Sequence, residues 1–157
     1  NIVVVDADII AREVVMPEQP TLTQIQKTFG DWVLLDNGEL NRRALREHIF
    51  KEPTARKALE SITHPAIRNS IIQQLNAAQS PYVVLVSPLL FETNQHELTN
   101  RTLLIDASEE LQIQRASQRD GQNIEQIKNI IQVQMPRIEK QKRANDIVIN
   151  DGHLAQL

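Results

Sequence analysis

Short runs of apolar, β-branched residues recur along the chain and alternate with longer stretches of helical periodicity. The runs lie at 3–5, 82–87, 101–106 and 146–150. Continuous runs of Val, Ile and Leu favour strands that are covered on both faces, as in parallel sheets. Between them, apolar residues recur at three- and four-residue spacing, which is typical of amphipathic helices. The alternation predicts an α/β fold in which a mainly parallel sheet is flanked by helices.

Proline, glycine and capping residues predict where the helices begin and end. The predicted helices span 9–16, 20–29, 42–50, 53–61, 66–78, 108–119, 123–133 and 136–143. Between two of them, Thr63-His64-Pro65 is predicted to interrupt the helical path, because proline has no backbone N–H and disfavours a helical residue before it. We find no internal repeat and no clear linker.

Composition narrows the functional classes. The chain has 157 residues, 41% of them hydrophobic, a net charge of −3 and no cysteine. The length suits one domain with a substantial core. The lack of cysteine excludes a thiol nucleophile and a cysteine-based zinc site within this sequence. The charge argues against broad nucleic-acid binding, and no apolar run is long enough to span a membrane. We therefore expect a cytoplasmic protein that binds neither nucleic acid nor membrane, and the sequence leaves its oligomeric state open.

The first apolar run ends in two carboxylates, Asp6 and Asp8. Parallel sheets place ligand sites at the carboxyl ends of their strands. If the extended geometry persists through Ala7, the two carboxylates lie on one side of the chain and either share a metal ion or divide metal and substrate between them. The alternative is that Asp8 merely caps the following helix, since Asp is a common N-cap.

Arginines follow the acidic pair at two places. Arg12 lies one turn beyond Asp8 on the predicted helix, so we expect both to face one cleft. Arg42, Arg43 and Arg46 share the next basic helix, where they are typical of a solvated face.

Further basic charge is concentrated between Arg115 and Arg143. Arg115 and Arg119 lie four residues apart, so they either clamp a polyphosphate or pair with nearby glutamates. Helices joined by short polar turns in this range are consistent with a mobile cover over an anionic ligand or with a plain solvated bundle.

Strand-end residues alone allow one phosphatase hypothesis. An Asp-x-Asp strand end, Ser87 after a later strand and Asp151 after the last one resemble the haloacid-dehalogenase phosphatases. In that hypothesis Asp6 is the nucleophile and Asp8 the general acid and base. The chain departs from the pattern because Ile9 to Arg12 enter a helix at once, where that family expects a Gly-Thr-like turn.

A larger ordered set of motifs resembles the dephospho-coenzyme A kinase family over essentially the entire chain. The set comprises Val5–Arg12, Phe29-Gly30, Leu45-Arg46-Glu47, Ile49-Phe50, Thr63–Ile67, Pro88–Glu92, Gln118–Asp120 and Asp146–Asn150. The resemblance implies a P-loop kinase fold with a helical substrate region and a lid. It also implies ATP-dependent phosphorylation of the ribose 3′-hydroxyl of dephospho-coenzyme A, the final step of coenzyme A synthesis, with Mg²⁺ as cofactor.

The resemblance assigns roles to individual residues. Asp8 matches the catalytic aspartate that orients the substrate hydroxyl and accepts its proton. Asp6 is assigned to Mg²⁺ through water, by similarity to the Asp-x-Asp arrangement of shikimate kinases. The implied substrate-binding residues, besides Asp8, are Arg12, His64, Leu89, Leu90 and Glu92. The implied ATP-binding residues are Arg119, Arg137 and Asn150, and Arg119 matches the lid arginine over the transferring phosphate.

The resemblance also predicts an organisation and one departure. We expect a single truncated kinase domain with a core at about 1–16, 80–108 and 144–157, a helical substrate-binding region at about 17–79 and a lid at about 109–143. The four glycines do not allow a Gly-x-x-x-x-Gly-Lys-Ser/Thr motif, which in the family precedes the acidic strand. We therefore expect this stretch to be incompetent by itself, to lack the terminal part of the fold and to expose core residues. A non-catalytic coenzyme A or nucleotide-binding module remains the second alternative.

Overall fold

The computed structural model describes residues 1–121 and 123–152, without the side chain of Asp120. Within these residues the elements are β1 (Val3–Asp6), α1 (Ala7–Glu13), α2 (Pro20–Phe29), α3 (Arg42–Lys51), α4 (Pro53–Ala77), β2 (Val83–Val86), β3 (Leu103–Asp106), α5 (Glu109–Asp120), α6 (Ile124–Gln132), α7 (Arg137–Arg143) and β4 (Asp146–Ile149). Short 3₁₀ helices lie at Asp31–Val33 and Gln95–Leu98. The chain forms two compact units, Asn1–Ser87 and Pro88–Leu157.

The first unit combines one parallel strand pair with four helices. β1 pairs with β2 from Val3 opposite Val83 to Asp6 opposite Val86. α4 packs against α1, α2 and α3 and also contacts β1. Apolar side chains from these helices and their connections form the buried cluster of Val15, Ile25, Val33, Leu45 and Ile62. α1 follows β1 directly, so the acidic end of β1 is also the start of α1.

The second unit contains the other parallel pair. β3 pairs with β4 from Leu103 opposite Asp146 to Asp106 opposite Ile149. α5 packs against α6, which buries Ile127. The parallel pairing that the apolar runs predict is therefore confirmed within each unit, and the α/β class with it.

Several predicted helix ends are also confirmed. α2 has the predicted bounds, and Gly30 follows it with φ of 95°, which side chains rarely adopt. Asn41, Ser108 and Asn123 each accept a backbone N–H of the helix that they precede, at 3.1, 3.3 and 3.0 Å. These ends depend on local chemistry, which is why the sequence predicts them well.

Three expectations need correction. α1 begins at Ala7, so the extended geometry does not continue through the acidic pair. α4 runs unbroken from Pro53 to Ala77 with Pro65 inside it. Burial of Ile62 and Ile71 along this helix offsets the hydrogen bond that proline cannot make, so the predicted interruption at 63–65 is wrong.

The strands were expected to be covered on both faces, and the structure shows one face exposed. Val4 is 58% exposed and Ile149 is 63% exposed, whereas Val5 is buried. In β2 and β4 exposure alternates with the side-chain direction, whereas in β1 the neighbours Val3 and Val4 are both exposed.

Among the described residues, none of the helices is both long and apolar enough to cross a membrane. The division into core, substrate region and lid remains a prediction. Of its core range 144–157, residues 153–157 lie outside the described residues.

Candidate active site

Asp6 caps α1. Its Oδ1 accepts the backbone N–H groups of Asp8 at 2.8 Å and Ile9 at 3.2 Å. The cap satisfies two donors at the start of the helix and places a negative charge at the positive end of its dipole. The sequence hypothesis that Asp8 is the cap is therefore wrong, and the first carboxylate of the pair has this structural role.

Asp8 lies in the first turn of α1, with its side chain exposed. Arg12 lies one turn further along the helix and is also exposed. Among the described residues, neither side chain takes part in an ion pair, although they are four residues apart. The carboxylate of Asp8 is thus available to an approaching hydroxyl group, with a guanidinium nearby on the same helix.

His64 lies in the middle of α4, directly before Pro65, and its side chain is exposed. Hydroxyl groups of the same turn donate to helix carbonyls, from Ser61 to Ala58 at 2.8 Å and from Thr63 to Leu59 at 2.9 Å. In these bonds the hydroxyls act as additional donors to carbonyls of the turn before the proline. His64 therefore lies on a continuous helix of the unit that contains Asp8, and not in a loop.

Residues 88–94 follow β2 as a series of turns in the second unit. Leu89 is exposed and Leu90 is half-buried. The next residue, Phe91, is buried. The structure therefore separates the two leucines, which remain available for a ligand, from the phenylalanine, which belongs to the core.

Glu92 binds the segment that leads into α7. Its Oε1 accepts the backbone N–H of Met135 at 2.9 Å and lies 3.2 Å from Nζ of Lys140. Burial raises the pKa of the Glu92 carboxyl. The hydrogen bonds and the charge of Lys140 together lower it by more than burial raises it, so the net shift of the pKa is downward. Its Oε2 is buried and has no hydrogen-bond partner among the described residues. Glu92 is therefore an ionised structural link with one unused acceptor atom.

Asp106 is a site residue that the sequence reasoning missed. It ends β3 and is only 3% exposed. Arg137 donates to it from Nε at 2.8 Å and from Nη2 at 2.7 Å, and Gln141 donates at 2.8 Å. The Arg137 hydrogen bonds hold the pKa of the Asp106 carboxyl below its usual range. An acidic residue at the carboxyl end of a predicted strand was the signal that could have identified it.

A cavity of about 360 Å³ lies beside this pair. Its polar lining includes Asp106, Gln134, Arg137 and Lys140. Its apolar lining includes Ile131 and Met135. The lining also contains Glu109, and its two cations are paired with Asp106 and Glu92, so the cavity combines apolar side chains with compensated charges.

The other predicted nucleotide residues lie in the same unit. Arg119 is exposed in the last turn of α5. Arg115, one turn before it, donates from Nη1 to the backbone carbonyl of Asn150 at 2.7 Å. The backbone N–H of Asn150 donates to the carbonyl of Asp106 at 2.7 Å. Arg115 therefore contacts the end of β4. Whether Arg115 and Arg119 clamp a polyphosphate or pair with glutamates remains a prediction.

Among the described residues, no group of three or more His, Asp or Glu side chains could hold a metal ion. Asp6 offers one carboxylate, of which Oδ1 already accepts two N–H groups. Mg²⁺ in kinases needs only one or two carboxylates, because water and substrate phosphates complete its coordination. The donor set therefore fits Mg²⁺ that arrives with a nucleotide and does not fit an all-protein metal cage.

Comparisons with known proteins agree on one family. The family described as dephospho-CoA kinase matches residues 1–156. A dephospho-CoA kinase of Acinetobacter baylyi is 72% identical over 100% of this chain and 80% of its own length. One of Psychrobacter cryohalolentis is 47% identical over 98% of this chain and 68% of its own.

Two solved protein structures have a similar fold. A Thermus thermophilus protein matches with a TM-score of 0.85 and 31% identity, over 99% of this chain and 79% of its own. A dephospho-CoA kinase of Campylobacter jejuni matches with a TM-score of 0.71 and 28% identity over the same shares. The chain belongs to the dephospho-CoA kinase family of phosphotransferases.

Proposed function

We propose that the protein transfers the γ-phosphoryl group of ATP to the ribose 3′-hydroxyl of dephospho-coenzyme A, which completes coenzyme A synthesis. Family membership supports the reaction class. The structural observation that carries the acceptor assignment is the carboxylate of Asp8, which is exposed on the first turn of α1 and unpaired among the described residues. The setting that we propose is the cytoplasm, with these two substrates as partners and no nucleic acid.

Asp8 acts as the general base in this proposal. Its carboxylate accepts a hydrogen bond from the 3′-hydroxyl and takes up its proton as the oxygen attacks phosphorus. The bond from O3′ to the γ-phosphorus forms while the bond from that phosphorus to the β,γ-bridging oxygen breaks, which leaves ADP. Because phosphoryl transfer depends mainly on alignment and on neutralisation of charge, one positioned carboxylate is sufficient on the acceptor side.

The second unit supplies the nucleotide contacts. Arg119 stabilises the charge on the transferring phosphoryl group, and Asn150 contacts the nucleotide base. Arg137 is held at Nε and Nη2 by Asp106, so its Nη1 remains to bind a phosphate oxygen. Fixing the guanidinium in advance lowers the entropy cost of binding.

Mg²⁺ is the cofactor that we propose, and Asp6 would hold it through water. When bound with ATP, the ion supplies neutralisation of phosphate charge. Asp6 already orients one oxygen toward the amides of α1, so the same residue fixes both the helix start and the direction of its second oxygen.

Arg12 and His64 in the first unit contact the acceptor substrate. By the family resemblance we also assign Leu89, Leu90 and Glu92 to its adenosine or pantetheine part. Leu89 is exposed and Leu90 is half-buried, so both offer apolar area, whereas Glu92 holds this segment to Met135 and Lys140.

Coenzyme A formation tests this function. The intact protein that carries this sequence is incubated with ATP, Mg²⁺ and dephospho-coenzyme A, and the product is identified by its 3′-phosphate resonance in ³¹P NMR. The proposal predicts one coenzyme A per ATP consumed. In a parallel incubation with a phosphomonoester, release of inorganic phosphate without coenzyme A formation in the first assay would instead support the haloacid-dehalogenase alternative, which the family match does not favour. Binding of either nucleotide without turnover would support the non-catalytic module.

A further inference from the structure

Three arginines in the first unit have no acidic partner. Among the described residues, Arg12, Arg42 and Arg46 form no ion pair. Arg43, on the same helix as two of them, is paired with Glu47 at 3.1 Å. The unpaired arginines thus differ from an arginine of the same helix that has the ordinary surface arrangement.

Arg42 connects α3 to the end of α1. Its Nη2 donates to the backbone carbonyl of Arg12 at 3.4 Å, across thirty positions of the chain. This contact brings the Arg42 guanidinium to the turn of α1 that contains Arg12. Arg46 lies one turn along α3 from Arg42, on the same helix face. Two separate helices therefore place positive charge at one end of α1.

The opposite end of α1 contains Asp8. Asp8 and Arg12 are separated by four residues of helix, about 6 Å of rise. In an adenosine nucleotide the 3′-hydroxyl and the 5′-phosphates are attached to the same ribose ring, a few bonds apart. A hydroxyl at Asp8 consequently leaves the 5′-phosphates within reach of the basic end of the helix.

We propose that Arg12 and Arg42, with Arg46 beside them, bind the 5′-diphosphate of the nucleotide whose 3′-hydroxyl lies at Asp8. This inference rests on the proposed function and assigns the anionic part of the acceptor substrate to α1 and α3. Arginine suits this role because its planar fork matches two phosphate oxygens. The contact to the Arg12 carbonyl holds Arg42 near the ligand before binding, and that carbonyl does not neutralise its charge.

The test compares two arginines of one helix in the intact protein. Arg42→Ala should raise the KM for dephospho-coenzyme A by roughly 10- to 100-fold, as expected for loss of a charged hydrogen bond, and should change kcat little. The matched control Arg43→Ala removes the same charge from the solvent side of α3 and should leave KM within about twofold. Arg42→Lys should fall between the parent and Arg42→Ala, since lysine keeps the charge without the fork.

A salt titration of the unaltered protein provides a measurement without any variant. KM for dephospho-coenzyme A should rise steeply between about 0.03 M and about 0.3 M salt, because the phosphate contacts are screened. Equal KM values for Arg42→Ala and Arg43→Ala, or a KM insensitive to salt, would overturn the inference. A lower melting temperature of Arg42→Ala with unchanged KM would also overturn it, because Arg42 would then only cap the end of α1. Coenzyme A formation by the parent separates these failures from failure of the proposed function, in which the parent forms none.

Discussion

Arg137 donates two parallel hydrogen bonds to the buried carboxylate of Asp106, at 2.8 and 2.7 Å. Gln141 donates a third to the same carboxylate at 2.8 Å. The pair joins α7 to the carboxyl end of β3, beside the cavity of the second unit. A basic residue that sequence reasoning assigns to nucleotide binding is therefore already oriented by an acid of the fold.

Asp106→Asn is expected to lower the free energy of unfolding by about 1–3 kcal/mol, because the substituted amide leaves a buried donor facing Arg137 or Gln141. Urea denaturation followed by circular dichroism measures the change. Asp146→Asn is the matched control, since it breaks an exposed pair with Arg101 and should cost less than about 1 kcal/mol. Equal decreases of the unfolding free energy in the two variants would contradict the claim that the buried pair contributes more to stability than the exposed pair.

Stability should decrease in acid partly through Asp106. Its folded-state pKa lies below the usual value, so the unfolded carboxyl binds its proton first, at a pH of about 4. The contribution is fully present above that pH and is lost as pH falls through the folded-state pKa. The unfolding free energy of the parent, measured in urea between neutral pH and about pH 3, should thus decrease more steeply than that of Asp106→Asn. Parallel curves would contradict this.

Glu92→Gln should loosen the segment before α7. The neutral amide makes a weaker acceptor for the Met135 N–H and loses the ion pair with Lys140. Hydrogen exchange of the Met135 amide is expected to become roughly fivefold faster, as for loss of about 1 kcal/mol of local stability. Glu139→Gln, which removes an exposed pair with Lys142, is the control and should leave that amide unchanged. Equal acceleration in both variants would refute the link.

Pro65→Ala should stabilise the protein by about 1–2 kcal/mol. The new N–H can complete the helix, and this gain is partly offset because the unfolded chain becomes more flexible. Thermal unfolding of the variant measures this. Pro53→Ala is the control, since the first helical position needs no such bond and little change is expected. Destabilisation by Pro65→Ala would contradict this expectation.

Sequence patterns predict the local features of this fold well. Asn41, Ser108 and Asn123 cap helices because each side chain bonds to an amide two or three residues away, so the whole interaction lies within one short window. Pro65 shows the limit of such windows. A helix that continues through proline is stabilised by packing along its length, which local propensity does not include.

The candidate site shows the same limit. The acidic pair was recognisable, but whether Asp6 or Asp8 caps α1 depends on where the extended chain ends, a difference of two residues. The partners of Arg137 and Arg42 lie 31 and 30 positions away, at Asp106 and at the carbonyl of Arg12. No spacing rule connects such residues, so only the folded chain reveals these contacts.

Turnover of Asp8→Asn measures the general-base role of Asp8 itself. In the intact protein, kcat for coenzyme A formation should fall by at least about 100-fold, the contribution of a positioned general base, with the affinity for ATP nearly intact. Asp36→Asn, which changes an exposed aspartate of the same unit in a turn, should keep normal activity. We expect this loss for Asp8→Asn and not for Asp36→Asn, and near-normal turnover of Asp8→Asn would show that Asp8 is not the general base.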